Sequence, residues 1–154
     1  GGGRSNKILS CNTSTIGGGC ANEINGSFNT IGGGSGNKLL TGSSCSVIVG
    51  GCGNQASKML VTIGGGCGNS ITAFKSLIPG GVDNTVSKML AGAIGSCNTV
   101  DNTCSYALGN CITTVCNNTT FVNNLSSGTL SATNGFTGTH CGMCIIKGIV
   151  VGAS

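Results

Sequence analysis

The sequence predicts an all-β chain: a parallel β-roll or solenoid with coils of about 15 residues, followed by a short β-rich C-terminal cap. Three observations predict it. A glycine-rich block recurs along most of the 154 residues, an apolar residue recurs two positions after the asparagine closing each block, and large side chains are scarce. Glycine makes up 30 of the residues, aromatics 3% and charged residues 6%, with no Trp. Bulky side chains normally supply the apolar area that offsets chain entropy, so an ordinary globular core is excluded. A mean hydropathy of +0.31 excludes a disordered linker as well.

The block reads Ile-Gly-Gly-Gly-x-Gly-Asn or a close variant. Copies run over residues 16–22, 31–37, 48–54, 63–69 and 78–84, compressed versions end at Asn98 and Asn110, and residues 1–6 look like the tail of one more. The missing start of that first copy leads us to expect the remainder of a longer chain upstream. Two residues after each Asn stand Ile8, Ile24, Leu39, Ala56, Ile71, Val86, Val100 and Ile112, with a mostly polar residue between. That alternation is a strand with one buried face. A second apolar column, Ile16, Ile31, Ile48, Ile63 and Ile78, precedes the Asn by six. Each repeat therefore reads as two short strands joined by a glycine corner. Helix is disfavoured, because each interior glycine costs about 1 kcal/mol relative to Ala.

Coils stacked at the strand spacing of about 4.8 Å place equivalent residues above one another. The two apolar columns become ladders. Asn22, Asn37, Asn54, Asn69 and Asn84 become an amide ladder, a residue type that also tolerates a left-handed corner. Glycine supplies either positive φ or room for close backbone approach, and the sequence does not separate the two. A thin coil with apolar columns on more than one side calls for partners, which predicts a homotrimer.

Two positions before the Asn the sequence reads Cys20, Ser35, Cys52, Cys67, Val82 and Ser96, so this column is expected to hold buried free thiols acting as small hydrophobes. Disulfides are the rival, since cysteines one coil apart meet the Cα distance limit, although eleven is an odd number. Such Cys usage suggests assembly in a reducing compartment.

Chemistry-bearing motifs are sparse. Residues 140–144, His-Cys-Gly-Met-Cys, lack a well-spaced second pair for zinc, Cys111 and Cys116 being the nearest. The repeats lack the aspartate of calcium-binding nonapeptides. No Gly-Lys-Ser/Thr follows a glycine run, so phosphate loops are excluded. No cofactor is expected. The three acids, Glu23, Asp83 and Asp101, give no adjacent carboxylate pair of the kind polysaccharide cleavage uses, so no enzyme is expected. The net charge of +4 is scattered singly and no aromatics interleave with it, which argues against nucleic acid. No apolar run approaches the ~20 residues of a membrane span.

The repeats resemble the head repeats of trimeric autotransporter adhesins and the repeat regions of phage and large-virus fibre proteins, over roughly residues 1–112. Residues 118–125 and 128–132, then 135–139 and 148–151, resemble the segments that close such fibres. The resemblance implies an intertwined homotrimer at a virion or extracellular surface, attaching to a host-surface receptor, a glycan being one candidate. The alternative from another class is a flat-faced ligand- or ice-binding solenoid, which the irregular column Thr15, Thr30, Val47, Thr62, Leu77 disfavours; a depolymerase comes third. The expected division is residues 1–117 as the roll and residues 118–154 as the cap.

Overall fold

The computed structural model describes residues 2–10 and 13–123, with no helix among them. They form a β-solenoid of about eight coils, built from two parallel sheets facing each other. One sheet holds seven strands: β1 (Lys7–Ser10), β3 (Glu23–Asn25), β5 (Lys38–Leu39), β7 (Gln55–Ala56), β9 (Ser70–Ile71), β11 (Thr85–Val86) and β13 (Thr99–Val100). The other holds eight: β2 (Thr15–Ile16), β4 (Thr30–Ile31), β6 (Val47–Ile48), β8 (Thr62–Ile63), β10 (Leu77–Val82), β12 (Gly92–Ser96), β14 (Tyr106–Asn110) and β15 (Thr120–Val122). The chain alternates between the sheets, and each strand pairs with its counterpart one coil away, in register except for shifts within the β1/β3 and β10/β12 pairs. Thus Ile16 meets Ile31 and Ile31 meets Ile48, while Ile24 meets Leu39.

Both apolar columns point inward and cover each other from Ile16 onward, whereas Ile8 in the first coil is 45% exposed. Ile31, Ile48, Ile63 and Ile78 are fully buried, as are Ile24, Leu39, Ile71 and Val86, and Ile16 is 9% exposed. Each such burial stabilises by roughly 1.5–3 kcal/mol. This corrects the physical premise given for the homotrimer: two columns facing one another complete the interior within a single chain and require no partner.

Two corners connect the sheets, and each turns on a residue in the left-handed conformation. At the first corner these are Ser5, Ala21, Gly36, Gly53, Gly68, Asp83, Cys97 and Cys111; at the second, Thr13, Phe28, Cys45, Leu60, Lys75, Leu90, Cys104 and Asn118. From Ala21 to Cys104, a buried Asn, Ser, Val or Ala follows each corner, then an outward residue, then an inward apolar one. A coil is thus two half-turns of the same construction, as in Ala21-Asn22-Glu23-Ile24 and Phe28-Asn29-Thr30-Ile31.

The last coil corrects the repeat register. Asn110 pairs with Ser96 rather than standing in the Asn column, and the Ile112 N–H reaches Asn98 Oδ1 at 2.9 Å. Ile112 therefore occupies the Asn position, and buried Thr114 follows two residues later where Val100 stands in the coil before. With that shift the coils continue past Ile112. Tyr106 pairs with Thr120 and Leu108 with Val122, so the stack continues through β15. The remaining residues of the expected cap, 124–154, lie outside the described residues, as does the His140 to Cys144 motif.

Candidate functional site

The best-defined polar feature is the amide ladder at the first corner. Asn22, Asn37, Asn54, Asn69 and Asn84 are all fully buried. Their backbone is not left-handed; the residue before each one takes that role. Each side-chain Oδ1 accepts the backbone N–H of the Asn in the next coil, at 3.0 Å from Asn37 to Asn22, 3.0 Å from Asn54 to Asn37 and 3.1 Å from Asn84 to Asn69. Each Nδ2 donates to glycine carbonyls. Asn69 Nδ2 reaches Gly65 O at 3.1 Å in its own coil and Gly81 O at 2.8 Å in the next. In the later coils Nδ2 also donates to the preceding Oδ1, as from Asn84 to Asn69 at 3.0 Å. No buried side-chain nitrogen or oxygen among the described residues lacks a partner.

Asn69→Ala strands several of these buried groups at once, and each costs about 1–3 kcal/mol when unmet. The expected loss is about 3 kcal/mol, read as a lowered urea midpoint at unchanged m-value.

The sequence reading missed a second ladder at the other corner. Asn29 N–H donates to Ser14 Oγ at 3.1 Å, Ser46 N–H to Asn29 Oδ1 at 3.0 Å and Val61 N–H to Ser46 Oγ at 3.1 Å. Its signal was present as Ser or Asn two residues before the inward Ile in Ser14, Asn29, Ser46 and Ser76, but Val61 and Ala91 interrupt it.

The cysteine column points outward, contrary to expectation. Cys20, Cys52 and Cys67 are exposed, and so are Cys97 and Cys111 in the adjoining left-handed column. The column lies on the outer side of the first corner, and Arg4, which bridges Cys20, is exposed there too. A charged residue two positions before Asn6 was the available sign that this column faces solvent.

The surface has two distinctive edges. At the second corner, backbone hydrogen bonds from Leu60, Lys75 and Leu90 to the preceding coil stack these residues, and with them Met59, Phe74 and Met89. All six are exposed, and Lys58 Nζ lies 5.4 Å from the Phe74 ring centre, a cation–π contact. With Lys88 this makes an apolar edge carrying three lysines and no acid over coils four to six. The first-corner edge carries the thiols.

On the outer face of the seven-stranded sheet, Lys7, Glu23 and Lys38 stand in one column, so Glu23 lies between two cations. Asp83 lies four coils further along. Among the described residues no group of three His, Cys, Asp or Glu side chains is placed to hold a metal ion. The outward column of the other sheet mixes Thr15, Thr30 and Thr62 with Val47, Leu77, Gly92 and Tyr106, so no flat threonine array forms. Comparison with protein-family models and with curated proteins finds no match.

Proposed function

We propose that this chain is a segment of an attachment fibre, a structural fibre or adhesin element displayed at a virion or other extracellular surface. The observation that carries this reading is the set of large apolar side chains left outside an interior that is already complete. Met59, Leu60, Phe74, Met89 and Leu90 at the second corner, and Leu77, Ile94, Tyr106 and Val122 on the outer face of the eight-stranded sheet, are each at least 40% exposed. Exposed apolar surface on this scale marks an interaction face.

Eight coils span roughly 40 Å at the strand spacing, and a stiff stack of that kind suits projection rather than catalysis. The sheet face is where copies associate as a homotrimer, and the lysine-bearing edge is the part presented to a receptor, an acidic glycan matching its charge. Threefold display of one weak contact gives avidity without new chemistry.

Sedimentation equilibrium on the purified chain is expected to give three times the 14.9 kDa chain mass. The labelled assembly is expected to be retained by immobilised sulfated polysaccharide, with Lys75→Glu/Lys88→Glu weakening retention at least tenfold. A chain that stays monomeric at micromolar concentration and binds no polysaccharide or cell surface overturns the proposal.

A further inference from the structure

Two pairs of exposed thiols stand directly above one another on the first-corner edge. Cys52 and Cys67 are in-register partners in the parallel ladder between coils four and five. Cys97 and Cys111 follow the paired residues Ser96 and Asn110, and their N–H groups make the same contact one coil down, to Val82 O at 2.9 Å and Ser96 O at 2.8 Å. Cys111 therefore sits over Cys97 between coils seven and eight. In-register neighbours are separated by the strand spacing of roughly 4.8 Å, inside the 4.4–6.8 Å Cα range that a disulfide accepts.

The sulfurs of each pair sense one another. The Cys67 thiol is pushed up, first by its hydrogen bond to Cys52 and then by repulsion between the two charged forms. The Cys97 thiol is pushed up chiefly by the Cys111 charge. Cys20, Cys45 and Cys104 have no cysteine directly above or below them among the described residues. Ser35 stands between Cys20 and Cys52, which leaves those two two coils apart. Cys45 and Cys104 lie on the second corner with Leu60, Lys75 and Leu90 between them.

We infer that Cys52 with Cys67, and Cys97 with Cys111, are two modification sites at which a low-molecular-weight disulfide closes cross-coil bridges, stapling coil four to five and coil seven to eight. One protein thiolate attacks a sulfur of the small disulfide, breaking its S–S bond and releasing one thiolate. The second protein thiolate then attacks the mixed disulfide and displaces the other half. Two electrons pass to the small disulfide, which leaves as two thiols carrying the two protons of the cysteines. Only the thiolate attacks, so closure quickens as pH climbs through the thiol range.

The inference is independent of the attachment role. A chain that folds reduced and is stapled afterwards gains covalent links along the solenoid axis, the direction in which its coils are otherwise joined by backbone ladders and packing.

The test is to incubate the folded chain with oxidised glutathione and map its peptides without reduction. Trypsin cuts after Lys58, separating Cys52 from Cys67, while cleavage at Asp101 and Tyr106 separates Cys97 and Cys104 from Cys111. Linked Cys52–Cys67 and Cys97–Cys111 peptides are expected, each two hydrogens lighter than its reduced components, together with a higher melting temperature. Cys52→Ser and Cys97→Ser are tolerable substitutions, since Ser35 and Ser5 already stand in these columns. In C52S, Cys67 is expected to carry glutathione while the second bridge still forms, and the C52S/C97S double variant is expected to lose the oxidation-dependent gain in melting temperature. Glutathione retained on both members of each pair in the parent chain, persistently free thiols under alkaline oxidising conditions, or scrambled partners would overturn the inference.

Discussion

Ile63→Asp is expected to abolish the folded state, while Lys58→Asp leaves stability within about 1 kcal/mol of the parent. Ile63 is fully buried in the eight-stranded sheet, paired in register with Ile48 before it and Ile78 after it. A carboxylate there has no cation within the column and no route to water, so it must either stay charged in an apolar ladder or take up a proton. Either way the cost is several kcal/mol, added to roughly 1.5–3 kcal/mol of lost apolar burial. A domain's whole stability is about 5–15 kcal/mol, so one substitution consumes much of it. Lys58 is half-buried beside the Phe74 ring, and its loss removes a surface cation–π contact of about 0.5–1 kcal/mol. Circular dichroism and urea titration of the two variants check this. Equal midpoints would refute the assignment of the column to the interior.

The same comparison explains why the columns were legible. Two-residue alternation around each Asn fixes which side chains point inward, and Ile, Leu and Val keep that signal strong through coil after coil. Corners were harder to read. At the first, glycine at residues 36, 53 and 68 advertises positive φ, but at the second the left-handed residues are Phe28, Leu60, Lys75 and Leu90, which are not turn formers. Their conformation follows from the ladders on either side, not from local preference. The thiol column is ambiguous in sequence because Cys, Ser and Val suit a small buried site and an unconstrained outward position equally well. The register slip at Asn110 arose from residue identity. An outward Asn resembles the ladder Asn, and only the pairing of Ser96 with Asn110 shows that Ile112 has taken its place. Because the two columns close the interior within one chain, the outer faces are the surface on which further copies can pack.

The glycine triplets, whose members are indistinguishable by composition, separate into different roles, and Gly32-Gly33-Gly34 gives the sharpest test. Gly34→Ala is expected to destabilise the chain by about 3 kcal/mol or more, whereas Gly33→Ala is expected to be neutral or stabilising by up to about 1 kcal/mol. Gly34 has φ +90, outside the range L side chains readily adopt, and a Cβ there would drive into the Gly51 carbonyl oxygen of the next coil. It would also lie 2.8 Å from Asn37 Nδ2 and 2.9 Å from the Gly51 nitrogen. The obstruction is largely backbone that is itself bonded: Gly51 O accepts the Ser35 N–H at 2.9 Å and Asn37 Nδ2 at 2.9 Å. Relieving the clash therefore means breaking the ladder and the amide column together, so conformational strain and lost hydrogen bonds add. A Cβ on Gly33 would meet nothing within 4 Å, and its backbone is not left-handed. There the added methyl chiefly restricts the unfolded chain. Paired urea denaturation should place the two variants on opposite sides of the parent or leave Gly33→Ala beside it. Indistinguishable losses would mean that the triplet works as a flexible unit and that close coil-to-coil approach at its third glycine does not set the stacking.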